Sequence, residues 1–322
     1  MQLRTKLILV VVTLAGCGGT GDEPPEADDP VARVLAADPL AEPQATSLLG
    51  GALYARPDSA GILEEPDQAL REHPDSVELL IAAARERRNV WHYRQAMALY
   101  TRAAELAPGD WRPYRFRGHR HLSVREFDDG IRDLERARDL APLNWDVAYH
   151  LGLAYFLAGR FDDAADEYMR CLALDDSPEA QALQGETFRS CSENADDVES
   201  RVAMTEWATR ALLRAGRSED AETLLAGVAE DWAVEENVAY FHDLLYHKGV
   251  MSLDDLLRGV DEGTYRLETV GYGIVNQFLV QGDTARAVEI LHTLVADPWW
   301  PGFGRLAAEA ELVRLGVDET PP

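Results

Sequence analysis

The chain has 322 residues, with 57 acidic side chains against 31 basic ones, for a formal net charge of −26. So acidic a balance lacks the basic footprint that nucleic-acid binding needs, which sets that class of partner aside. Hydrophobic residues make up 46% of the chain and there are only three cysteines, so it must fold on an apolar core and not on a disulfide framework.

In chain order, Arg4 and Lys6 come first, followed by the apolar run Leu7–Leu14. Eight residues cannot span a bilayer as a helix, which takes about 20, so the run reads as a signal peptide. It ends in Leu14-Ala15-Gly16-Cys17, which resembles the lipobox of bacterial lipoprotein signals. The resemblance implies that residues 1–16 are removed and that Cys17 carries diacylglycerol on its sulfur and an acyl chain on its amine. Several acyl chains, at about 0.8 kcal/mol per buried CH₂, make a stable anchor where one would be marginal. Residue 18 is Gly, not the Asp that retains lipoproteins at the inner membrane, so in a Gram-negative cell the expected place is the periplasmic side of the outer membrane. Residues 17–44 then read as the lipidated cysteine and a flexible linker, because 18–30 is acidic, proline-rich and too polar to fold. Contact with the membrane is expected through the lipid alone.

Residues 45–76 form a weakly patterned lead-in with one helix expected before Pro74. A period follows. Pro74, Pro108 and Pro142 are spaced by 34 residues, and the windows from Val77, Trp111 and Trp145 superpose. The third carries Leu151-Gly152, Tyr155, Gly159, Phe161, Ala164, Tyr168 and Cys171 at positions 7–8, 11, 15, 17, 20, 24 and 27. This pattern resembles the tetratricopeptide repeat. Small residues at 8, 20 and 27 let two antiparallel helices approach, large ones at 7, 11 and 24 fill the gap, and Pro at 32 ends the second helix. The first window departs at Arg87, and the second at Arg117, His121 and Gly130. Residues 77–178 are thus three repeat units.

Past residue 178 the period breaks across an insertion at 177–200. It resumes with Gly216, Gly249 and Gly282, each after an amphipathic stretch. Degenerate helix pairs are expected at 201–230, 234–260 and 266–296, with a cap helix at 303–316 to close the open end. No alternating β-branched runs occur, so no sheet is expected. The fold class is all-α, an α-α superhelix: a tetratricopeptide-repeat solenoid of antiparallel helix pairs. The stretches Ala45–Gly50, Tyr114–Asp128, Thr269–Phe278, Gly282–Ala287 and Phe303–Glu311 are similar to those of a group of bacterial tetratricopeptide-repeat proteins of the cell envelope. That likeness strengthens the fold and adds no activity.

No catalytic constellation emerges, so the chain reads as a binding protein and not an enzyme, with no cofactor and no metal. His242 and His247 lie five apart and do not share a helix face. Steps of three and four put positions 2, 5, 9 and 12 of each first helix on one face, and the resemblance to tetratricopeptide repeats implies that this face lines the concave groove. These positions gather Arg85, Arg88, Arg112, Arg115 and His119, with Tyr149 and His150 beside them in the third window. Arginine suits bidentate recognition of a carboxylate, so one reading is a basic groove for an anionic or carboxylate-bearing protein or peptide. The other is that these arginines pair internally with Asp128, Asp129, Glu135 and other carboxylates. Arg117 and His121, at packed positions, belong to an internal hydrogen-bonded network. Cys171 and Cys191 leave two options, a disulfide or a buried free thiol. Trp299-Trp300-Pro301 marks a turn that could present an aromatic contact patch. The expected function is a lipid-anchored scaffold for protein–protein interaction at the cell envelope, holding a partner or its own copies as a homo-oligomer. The alternative is an accessory subunit of an envelope enzyme, binding peptidoglycan fragments or an anionic saccharide.

Overall fold

Helix starts recur with the repeat because their caps do. Ser76, Asp110 and Asn144 stand 34 residues apart, each two residues after a repeat proline, and each side chain accepts a hydrogen bond from a backbone N–H of the turn it caps. They open α3 (Val77–Glu86), α5 (Trp111–Ser123) and α7 (Trp145–Leu157). The second helix of each unit is α4 (Tyr93–Leu106), α6 (Phe127–Leu140) and α8 (Phe161–Leu172). Between the two helices, position 15 is left-handed in every unit, at Trp91, Arg125 and Gly159. The computed structural model describes residues 29–174, 189–192, 197–258 and 265–317. The expected signal peptide, Cys17 and most of the insertion lie outside the described residues.

Small residues do bring the paired helices together. A Cβ on Gly118 would stand 2.7 Å from Leu134, and one on Gly152 would stand 2.5 Å from the Tyr168 ring. The solenoid continues through α9 (Val198–Arg214) with α10 (Ser218–Ala226), and α11 (Val238–His247) with α12 (Leu253–Leu257). It ends with α13 (Tyr265–Val280), α14 (Thr284–Ala296) and the last helix, α15 (Phe303–Arg314). One apolar core runs unbroken from Leu122 to Leu312. Among the described residues no helix is long and apolar enough to cross a membrane.

The lead-in differs from expectation. Its 45–76 stretch holds α2 (Glu64–Glu72), and a further helix, α1 (Pro30–Ala36), lies within 17–44, where a flexible linker was expected. The lead-in also holds a small antiparallel sheet, β1 (Ala45–Thr46) with β2 (Ala52–Leu53), where none was expected. Two residues per strand are too few to show alternation, so tertiary contacts fix the hairpin: Arg94 Nε donates to the Gln44 carbonyl at 2.8 Å.

Those contacts belong to a closure of the superhelix on itself. The C-terminal segment returns to the N-terminal repeats, and Trp300 joins Ala45, Leu53, Trp91 and Tyr93 in one apolar cluster. Its indole N–H donates to the Tyr54 carbonyl at 3.0 Å. Glu309 on α15 is fully buried, pairs with Arg125 at 2.5 Å and accepts from the Leu48 N–H at 3.1 Å. Glu311, a half-turn on, pairs with Arg214 at 2.9 Å. Of the expected Trp299-Trp300 patch, only Trp299 reaches solvent, with 48% of its surface exposed against 4% for Trp300.

Candidate functional site

The predicted basic strip divides once side chains are in place. Arg112 is not free for a ligand, because it is held by Asp110 at 2.6 Å and by Glu78 at 2.5 Å. Those hydrogen bonds, Asp110 first, raise its pKa further. Arg115 is likewise occupied, donating to Asp146 at 2.5 Å and to the His150 ring at 3.1 Å. Burial works to raise the Asp146 carboxyl, but Arg115 and His150 together hold it well below the usual range. His150 itself is buried, and burial followed by Arg115 lowers its pKa, so the ring is neutral at pH 7. Tyr149 is also buried and stacks on Trp145 at 5.1 Å, as core and not as groove lining. Arg117 and His121 join the internal network expected of them. Arg117 grips Asp133 at 2.7 Å and His121 meets Glu126 at 2.7 Å.

Arg85, Arg88 and His119 remain. Arg85 is exposed, with its guanidinium 5.4 Å from the Phe116 ring centroid. Arg88 and His119 line a cavity of about 390 Å³ that sequence reasoning did not foresee. The cavity lies between the α3–α4 turn and α5 on one side and α13 and the start of α15 on the other. His119 packs on the His150 ring at 4.5 Å and on Phe303 at 5.1 Å. Burial, then Arg120, pushes its pKa well down, so it too is a neutral ring.

Two further cavity residues carry the charge balance. Arg120 is 7% exposed, and its guanidinium lies 4.7 Å from the Tyr93 ring centroid. Among the described residues, neither Arg88 nor Arg120 has a carboxylate within ion-pair distance. Glu268 is 6% exposed, and burial, reinforced by Asp297, raises its pKa to about 8. At neutral pH it is an uncharged acid, able to donate a hydrogen bond. The cavity is therefore a cationic, donor-rich space with aromatic walls, suited to holding an anion. A possible metal group elsewhere, His121, Glu126 and Asp129, has donor atoms within 4.8 Å of one another, but Arg94 already occupies Glu126 at 2.6 Å.

Period and spacing marked Arg88 and His119 because they share a face within the repeats. Arg120 falls one step off that face. Glu268, Trp299 and Phe303 arrive from a part of the chain whose return no local pattern encodes. Cys171 and Cys191, left open by the sequence, form a disulfide with Cα atoms 5.2 Å apart, tying α8 to the segment before α9.

Fold and site define the class: an all-α solenoid of tetratricopeptide-type helix pairs, closed by its own last helix around an arginine-bearing cavity. Residues 117–180 match the tetratricopeptide-repeat family. A stretch of 112 residues is 27% identical to small glutamine-rich tetratricopeptide repeat-containing protein 2 of Saccharomyces cerevisiae (strain ATCC 204508 / S288c). It covers 34% of this chain and 32% of that protein, so the chain spans about a third of the length of the curated relative it matches. The crystal structure of YrrB, described as a TPR protein with an unusual peptide-binding site, aligns at 17% identity over 70% of this chain and 97% of that chain, with a TM-score of 0.41.

Proposed function

We propose that this protein is a lipid-anchored scaffold of the cell envelope that binds an anionic or carboxylate-bearing segment of a protein partner. The observation that carries the reading is the pair of arginines at the cavity, Arg88 at the mouth and Arg120 within, which among the described residues have no carboxylate within ion-pair distance, in a chain of net charge −26. Arg112, Arg115 and Arg117 are each neutralised by a neighbour, which leaves Arg88 and Arg120 at the cavity, with Arg85 exposed nearby on the same repeat, as the cations open to a ligand. The repeat match at 117–180 supports a binding module, since stacked helix pairs present extended surfaces to partners. The Cys171–Cys191 disulfide agrees with an exported protein, because such bonds persist in oxidising compartments. The exposed Trp299 beside the cavity favours a second reading, an accessory subunit that stacks an anionic saccharide.

The test is cross-linking and capture from intact cells, comparing the native chain with an Arg85→Glu/Arg88→Glu variant. Both side chains are exposed and neither is ion-paired among the described residues, so the variant should keep its fold, as circular dichroism will check. One envelope protein captured by the native chain and lost with the variant is the expected result. Undiminished capture would overturn the arginine site. In the same cells an alkyne fatty acid labels the native chain and not Cys17→Ser, and an unlabelled native chain removes the anchor from the proposal.

A further inference from the structure

The cavity holds more donor capacity than its own walls use. Arg120 is more than nine-tenths buried, yet among the described residues it meets no carboxylate: it lies 4.7 Å from the Tyr93 ring centroid and hydrogen-bonds the Tyr93 side chain. Burying a charge without a counter-charge is costly, so a guanidinium left in this state is a stability burden unless something else meets it. Glu268 is buried to the same degree, and its Oε1 atom has no hydrogen-bond partner. The N-terminus of α15 also lines the space. Its N-cap is Gly302, no side chain caps it, and its first turn holds no acid. The dipole of a twelve-residue helix favours an anion at that end, where the Glu268 carboxyl packs against Gly302: a Cβ there would stand 1.7 Å from its Oε2. Trp91, Tyr93, Trp299 and Phe303 supply flat apolar surface around these donors. The volume, about 390 Å³, falls within the range of roughly 300–1,000 Å³ that small-ligand sites occupy.

We propose that this cavity is a binding site for a small organic anion, a carboxylate carried on a single ring. The carboxylate is met by Arg120 and the N-terminus of α15. Arg88 stands at the mouth, and the Glu268 carboxyl, whose Oε1 has no hydrogen-bond partner among the described residues, lines the same space. The ring lies against the tryptophans and Phe303. This deepens the reading above, on which it rests for the arginine site, by naming the chemistry that the site takes. A ligand seated there touches both the N-terminal repeats and the C-terminal segment, so it would also fasten the closure of the superhelix.

The experiment is isothermal titration of the full chain with phenylacetate, with glucuronate and with neutral phenylacetamide. At least one carboxylate should bind, and phenylacetamide should bind about tenfold or more weakly than phenylacetate if the aromatic acid is the ligand. Phenylacetate alone identifies an aromatic acid, and glucuronate alone a sugar acid. Failure of both at millimolar concentration overturns the inference. Arg120→Met is the second arm. It should abolish binding while raising the melting temperature, because an uncompensated buried cation is gone. A lower melting temperature would mean that the guanidinium has a structural partner and would overturn the inference as well. Lost protein capture by the Arg85→Glu/Arg88→Glu variant with no probe bound sinks only the small-anion site. Probe binding with capture unchanged sinks only the protein-partner reading.

Discussion

At position 15 of the helix-pair turns, residue 159 is glycine, but 91 is tryptophan and 125 is arginine, at φ +60° and +67°. A side chain in this left-handed region costs roughly 1–2 kcal/mol, which glycine avoids. Both exceptions reach the returning C-terminal segment. Trp91 packs edge-on against Trp299 and Trp300 at 5.4 Å, and Arg125 binds Glu309 and the Trp300 carbonyl. The strain is tolerated because the side chains close the molecule. Arg125→Gly would relieve about 1 kcal/mol of strain. It would also leave a buried carboxylate with Arg305, 3.2 Å away, as its remaining charged partner among the described residues, and breaking a buried pair costs about 3–5 kcal/mol. We expect a net loss of about 2–4 kcal/mol, read as a lower urea midpoint at unchanged slope. A gain in stability would show that the closure does not rest on this pair.

At the level of elements, the sequence carried the three repeats because every boundary has a local cause. Capping side chains start α3, α5 and α7, and Pro108 and Pro142 stand just beyond α4 and α6. The hairpin at 45–53 had no such cause. Gln44 and Arg94, 50 residues apart, hold it through 3.0 Å and 2.8 Å contacts that no periodicity announces. The disulfide was legible only as an option, since two cysteines 20 residues apart state nothing about geometry. In the fold it closes a loop of that length, and loop closure of this size is worth about 3 kcal/mol in the chain-entropy account. Cys191→Ser should therefore shift the denaturation midpoint down by about that amount. A reductant should do the same to the native chain and nothing further to the variant. A native midpoint indifferent to reductant would mean that the bond contributes no stability to α8.

For the whole molecule, the repeat period predicts which residues share a face but not where the superhelix returns. That is why Arg88 and His119 were found and Arg120, Glu268 and Phe303 were not. The same return brings three carboxylates into the interior, and they set opposing pH dependences. For Glu309 and Glu311, burial pushes the pKa up, but Arg125 and Arg214 pull it down further, so both end below their ordinary 4.5. They stabilise the closed fold above the unfolded pKa, and that contribution is lost as pH falls through the folded value. Glu268 runs the other way. Burial and Asp297 outweigh Arg305 and lift it from 4.5 to about 8, so across that interval the folded state holds more protons than the unfolded one. Its contribution is complete below 4.5 and declines as pH rises, with a slope of up to about 1.4 kcal/mol per pH unit. The closed molecule should then be most stable in mildly acidic solution and weaken towards pH 8. Thermal unfolding of the native chain and Glu268→Gln across this range checks the assignment. The variant should lose the decline and gain on the native chain with each step upward. Two parallel curves would mean that Glu268 is charged in the fold, and the cavity would then hold an anion of its own in place of a donor.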